Sequence, residues 1–135
     1  MTGPKLTRLL HRIGHRGAAL LFFALVDLVF AKSLADAPPS TRSSPTYAFM
    51  ATVLPLWGWA ALWGVVGLMC LVQAFMANDL PAFVASSAMN VGWACVHLAG
   101  FFVGEVPRGY VSAVIWLGYA GFVQVIASWA EPVRR

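Results

Sequence analysis

The chain has 135 residues, of which 60% are hydrophobic and only 10% charged, with a formal net charge of +4. Its mean hydropathy is +0.75. A soluble domain of this size needs far more polar surface to cover its core, so that class is excluded and an integral membrane protein is expected. The length suits one compact membrane domain, residues 1–135, with no separate soluble domain.

Residues 1–13 form a basic N-terminal segment. Lys5, Arg8, Arg12 and Arg16, with His11 and His15, recur at spacings of three and four. On a helix they share one face, suited to anionic lipid headgroups at about 1 kcal/mol each. The run leads straight into an apolar span, so a nucleic-acid partner is the weaker reading.

The first span is expected over residues 14–34. Its stretch from Ala18 to Ala31 carries a single charge, Asp27. A carboxylate at that depth costs roughly 2.5–3.5 kcal/mol on insertion scales, so Asp27 is expected to face protein rather than lipid. The basic start, the apolar run and Ala35-Asp36-Ala37 also resemble a cleavable leader. The length of the run, Asp27 within it and Pro38 just beyond argue for an uncleaved first helix.

Residues 35–53 are expected as an external loop. Pro38, Pro39, Pro45 and a Ser/Thr cluster give its stretch from Asp36 to Tyr47 an irregular character. The second span is placed at 54–76, followed by the turn Ala77-Asn78-Asp79-Leu80. Asn78 or Asp79 can cap the third span, 81–103, and Pro81 falls in its first turn, where a missing N–H does no harm. Glu105-Val106-Pro107-Arg108-Gly109 turns the chain into the fourth span, 110–129. Short turns reverse neighbouring spans, so the expected fold is all-α, an antiparallel four-helix transmembrane bundle.

Orientation follows from Lys and Arg. With a cytoplasmic N-terminus the inside holds Lys5, Arg8, Arg12, Arg16, Arg134 and Arg135, against Lys32, Arg42 and Arg108 outside. That imbalance is expected to place both termini in the cytoplasm. Trp57, Trp59, Tyr110 and Trp129 fall near span ends, as an aromatic belt requires.

Spans two and four echo each other at an offset of 51: Gly67 with Gly118, Val72-Gln73 with Val123-Gln124, Pro81 with Pro132. Two hairpins related by an axis along the membrane normal would give this weak pattern. It sets Gln73 and Gln124 at equal depth.

Polar residues inside the spans are the candidate site. Asp27 and His97 fall at similar height if their spans are neighbours, and Gln73 and Gln124 near the inner ends. Asn90 lies between these layers, and Ser87, Asn90, Ala94 and His97 share one face of span three. One reading is interhelical hydrogen bonds that hold a bundle together, at roughly 0.6 kcal/mol each. The other is a water-filled path or proton-responsive site, since Asp and His titrate near neutrality once burial or pairing shifts them. Lys32 can snorkel outward and leave Asp27 unpaired.

Small residues recur on helical faces. Ala85, Ala88, Gly92, Cys95 and Ala99 form a stripe along span three; Ala60 and Gly64 lie on span two, and Ala113, Ala120 and Ala127 on span four. Such stripes bring backbones close, within one chain or between copies. Cys70 and Cys95 are expected as small buried hydrophobes, without CxxC or metal-type spacing. His11 and His15 favour headgroup contact over a metal, and His97 alone cannot supply two axial haem ligands within the membrane. No nucleophile–base pair or phosphate loop has recognisable spacing, so neither an enzyme nor a cofactor is expected.

The stretch Leu54-Pro55-Leu56-Trp57-Gly58-Trp59-Ala60-Ala61-Leu62-Trp63-Gly64 resembles four-span membrane proteins of actinobacterial tailed phages, and so does Val106-Pro107-Arg108-Gly109-Tyr110. Such proteins are described as holin-like. The resemblance implies a small polytopic protein that accumulates in the inner membrane and opens it for a lytic enzyme. The tail Glu131 to Arg135 is shorter than that of many holins. The leading expectation is therefore a self-associating, pore-forming membrane protein. A proton-coupled transporter using Asp27 and an accessory protein that positions a membrane partner are the alternatives.

Overall fold

The computed structural model describes residues 4–129, with side chains from Ile13 onward. Among the described residues six helices follow in order: α1 (Pro4–Ala35), α2 (Pro39–Arg42), α3 (Pro45–Val53), α4 (Leu56–Gln73), α5 (Leu80–Phe102) and α6 (Gly109–Ala127). Among the described residues there is no strand. Four segments of the described residues are long and apolar enough to cross a membrane: Ile13–Ala35, Leu56–Gln73, Leu80–Phe102 and Gly109–Ala127. The protein is thus membrane-embedded, and the expected spans differ from these segments by only a few residues at each end.

Each boundary has a local cause. α1 breaks at Gly14, whose φ of 61° and ψ of −180° are accessible to glycine alone, so residues 4–13 form a separate helical segment. Pro38 and Pro39 stop α1, because a residue before proline avoids the helical region. The loop expected to be irregular is instead largely helical. Pro39 and Pro45 each sit in a first turn, where a fixed φ starts a helix rather than breaking it. Leu54 is extended ahead of Pro55 and sets off α4. Gly104, at φ 80°, lets the chain leave α5.

α1 packs along α4, and α5 along α6, with a lesser contact between α4 and α5. Tight approaches rest on glycine. A Cβ on Gly67 would lie 2.9 Å from Leu28 Cγ and 3.2 Å from Asp27 Cβ, whereas one on Gly64 would make an ordinary contact with Ala31 Cβ at 3.9 Å. Gly118, its counterpart in the suggested duplication, has open space instead. The echoing residues therefore occupy unlike environments.

Two apolar clusters fill the interior. One joins Leu20, Phe23 and Ala24 to Val66, Cys70, Phe83, Val123 and Ile126. The other, at the α3 end, joins Leu34, Met50, Trp59, Trp63 and Trp93, with Phe30 and Trp116 against it. Its rings meet edge-on: Phe30–Trp63 and Trp59–Trp93 centroids are both 4.9 Å apart. Such pairs add about 0.5–1.5 kcal/mol each beyond burial. α3 closes this end, where Trp59 Nε1 donates to Met50 O at 3.0 Å.

Candidate functional site: a polar layer between two apolar clusters

On α1, α5 and α6, polar or small residues fall between the two clusters. On α1 the inward register runs Leu20, Phe23/Ala24, Asp27, Phe30/Ala31, Leu34, so Asp27 separates the clusters at helical spacing. Gly67 of α4 meets it. α5 contributes Ser86, Ser87 and Asn90, between Phe83 and Trp93, and α6 contributes Tyr119 and Ala120, between Trp116 and Val123.

Asp27 is fully buried, as the cost of a lipid-facing acid requires. Neither carboxylate oxygen has a hydrogen-bond partner. It lies within electrostatic reach of the Cys70 thiol and the Tyr119 hydroxyl. Lys32 turns away and pairs with Asp36 on the exposed side of α1. Ser87 Oγ donates to Ala120 O at 3.3 Å, tying α5 to α6 within the layer. Asn90 Nδ2 donates to Ser86 O at 2.7 Å, while Asn90 Oδ1, Ser86 Oγ, Trp63 Nε1 and the Tyr119 hydroxyl have no partner. A buried polar group without a partner typically costs about 1–3 kcal/mol. An acid, an amide, hydroxyls and an indole therefore hold unused hydrogen-bonding capacity within the membrane-spanning core.

Two expected pairings and one expected stripe are corrected. The acid–imidazole pair does not form. His97 is buried, but its Nδ1 donates to Trp93 O at 2.9 Å, and its ring packs on Trp93. Because α1 packs on α4 and only slightly on α5, Asp27 Cβ lies against Gly67 and not beside His97. The amide pair does not form either. Gln73 Oε1 accepts from Ala82 N at 2.8 Å, capping the start of α5, and Gln124 is exposed. The third concerns the stripe on α5. Ala85 is half-buried, but Ala88, Gly92, Cys95 and Ala99 are exposed, because α5 turns Ser86, Asn90, Trp93 and His97 inward instead. Cys95 is accordingly not a buried hydrophobe, whereas Cys70 is. Ala60, Ala113 and Ala120 do pack inside, and Gly64 and Ala127 partly so.

At the opposite end from α3, Arg16 departs from its expected headgroup role. Its guanidinium bonds Asp79 Oδ1 at 2.6 Å and Trp129 O at 3.3 Å, and lies 5.0 Å over the Phe83 ring. Asp79 spends its side chain on this ion pair, which is why Gln73, not Asp79, caps α5. The expected headgroup contacts of Lys5, Arg8 and Arg12 lie outside the described side chains, as do His11, Pro132, Arg134 and Arg135.

Tyr119, Trp63 and Ser86 were not singled out from sequence. The available signal was position: Tyr119 and Trp63 lie inside spans, where aromatics with a polar handle are out of place unless a partner or site holds them. Among the described residues, no three His, Cys, Asp or Glu side chains come together as a metal cluster would need. No family model, curated protein or solved structure matches the chain.

Proposed function

We propose that the chain is a small, self-associating protein of the bacterial cytoplasmic membrane that permeabilises the bilayer in a holin-like way. In this reading the spans form an antiparallel bundle with both termini in the cytoplasm. The contact order supports it: Leu28 and Ala31 ascend α1 while their partners Gly67 and Gly64 descend α4.

The observation that carries self-association is the outward face of α5. Ala88, Gly92, Cys95 and Ala99 are exposed, and a Cβ on Gly92 would meet nothing within 4 Å. Lipid tails are as apolar as such a surface, so hydrophobicity alone does not cover it; close backbone approach by a second copy does. Assembly would bring polar layers together, and rotation of the helix pairs would turn Asp27, Asn90 and Tyr119 toward a lumen.

Cys95 reports on this directly. In membranes, oxidation is expected to yield a disulfide-linked dimer through Cys95, and Gly92→Leu should abolish it. A potential-sensitive dye should register collapse as the protein accumulates. A chain that stays monomeric while the potential holds at high expression overturns the reading. A crosslink to a different protein instead would favour the accessory role.

The second reading, a proton-coupled carrier, is favoured by the unpartnered Asp27 carboxylate. Intramembrane acids mark proton and substrate pathways.

A further inference from the structure

We propose that the cleft between α1, α3 and α4 is a discrete site for one anionic phospholipid, its phosphate held by Arg42. The cleft has a volume of about 320 Å³ and is lined by Leu34, Ala51, Pro55, Leu56, Trp57 and Arg42. That volume falls in the range of ligand sites, about 300–1,000 Å³. Its walls are apolar except for one cation, the arrangement an acyl chain with a charged head requires.

Three observations point to this occupant. First, the cleft lies where α1 ends and α4 begins, at Ala35 and Leu56. That is the headgroup level of a bilayer, and the 74% exposed Trp57 beside it is an interfacial anchor. Second, Arg42 is oriented without being neutralised. Its Nε donates to Ala37 O at 2.6 Å, which leaves both terminal nitrogens of the guanidinium to present a fork. The nearby acid Asp36 is engaged by Lys32, and no acidic side chain pairs with Arg42 among the described residues. A guanidinium fork matches the oxygens of a phosphate diester. Third, the other side of α3 provides a contrast. A cavity of about 410 Å³ there is lined by Pro45, Ala48, Phe49, Thr52 and Glu105. Its carboxylate repels an anionic headgroup, so charge selects the Arg42 side.

This site is distinct from the basic N-terminal segment, which belongs to the other end of the molecule, and it does not depend on permeabilisation. It requires only that the protein sit in a bilayer.

Native mass spectrometry of the full chain in neutral detergent tests it, in a background with Lys5→Gln, Arg8→Gln and Arg12→Gln. The parent should retain one phosphatidylglycerol with affinity about tenfold above that for phosphatidylcholine, as a charge-assisted contact provides. Arg42→Gln should erase that preference. Ala51→Trp, at an exposed position that faces the cleft, should weaken retention of both lipids by filling the chain's place. Equal retention of the two lipids by the parent, or an unchanged preference in Arg42→Gln, overturns the proposal. So does unchanged retention in Ala51→Trp. Inorganic phosphate competing as well as short-chain phosphatidylglycerol would also overturn it, by assigning a phosphate site without a lipid.

Discussion

Asp27 and Gly67 show how a single position shapes the core. The missing Cβ on α4 lets α1 approach until the Leu28 side chain and Asp27 Cβ fill the gap, and the Asp27 carboxylate has no hydrogen-bond donor. A charge buried without a partner opposes folding, and removing it is often neutral or stabilising. Asp27→Asn keeps the shape and removes the charge. It is expected to raise stability in detergent unfolding at neutral pH by about 1–2 kcal/mol. A loss of that size would instead mean that the carboxylate has a partner holding the bundle together. The inward direction of Asp27 was legible in the sequence, because lipid penalises the alternative. Its neighbours were not, because side chains on other helices are set by the rotation of each helix about its axis.

Helices meet where glycine allows them to, and two glycines of α6, Gly109 and Gly118, make opposite predictions. A Cβ on Gly109 would lie 2.3 Å from the backbone oxygen of His97, which cannot move without displacing α5. A Cβ on Gly118 would meet nothing within 4 Å. Gly109→Ala is thus expected to cost about 3 kcal/mol, at the upper end for overpacking, and Gly118→Ala to be neutral or slightly stabilising in the detergent-solubilised monomer. Thermal unfolding of the pair decides; equal shifts would contradict the close α5–α6 crossing. The spans were legible from hydropathy alone. The helicity of α2 and α3 was not, since Pro and Ser/Thr clusters suit both loops and helix starts. The outward turn of the α5 stripe was equally hidden, because small residues pack as readily between chains as within one.

Across the whole molecule, Arg16 joins elements far apart in sequence. Through Asp79, Trp129 and Phe83 it ties the start of the apolar segment of α1 to the start of α5 and the end of α6. The ion pair is partly shielded, with side chains 17% and 11% exposed, so solvent screening reduces it only in part. Arg16→Gln is expected to lower unfolding stability by about 2 kcal/mol, leaving Asp79 largely buried and without its cation. Exchanging the charges, Arg16→Asp with Asp79→Arg, should recover about half of that loss, since the contacts to Trp129 and Phe83 are not restored. No recovery would assign the effect to those contacts rather than the pair.

Hydropathy, low charge and the cost of burying an acid determine, without any coordinates, that this chain is membrane-embedded, which segments are long and apolar enough to cross and which side of α1 turns inward. These follow from the bilayer as solvent, which acts on each residue separately. Which helix lies against which, and therefore that Asp27 meets Gly67 rather than His97 and that Arg16 meets Asp79 rather than lipid, was decided by tertiary packing. Every face of these helices is largely apolar, so hydrophobicity does not select the partners; the close approaches at Gly67 and Gly109 and the Arg16–Asp79 ion pair do.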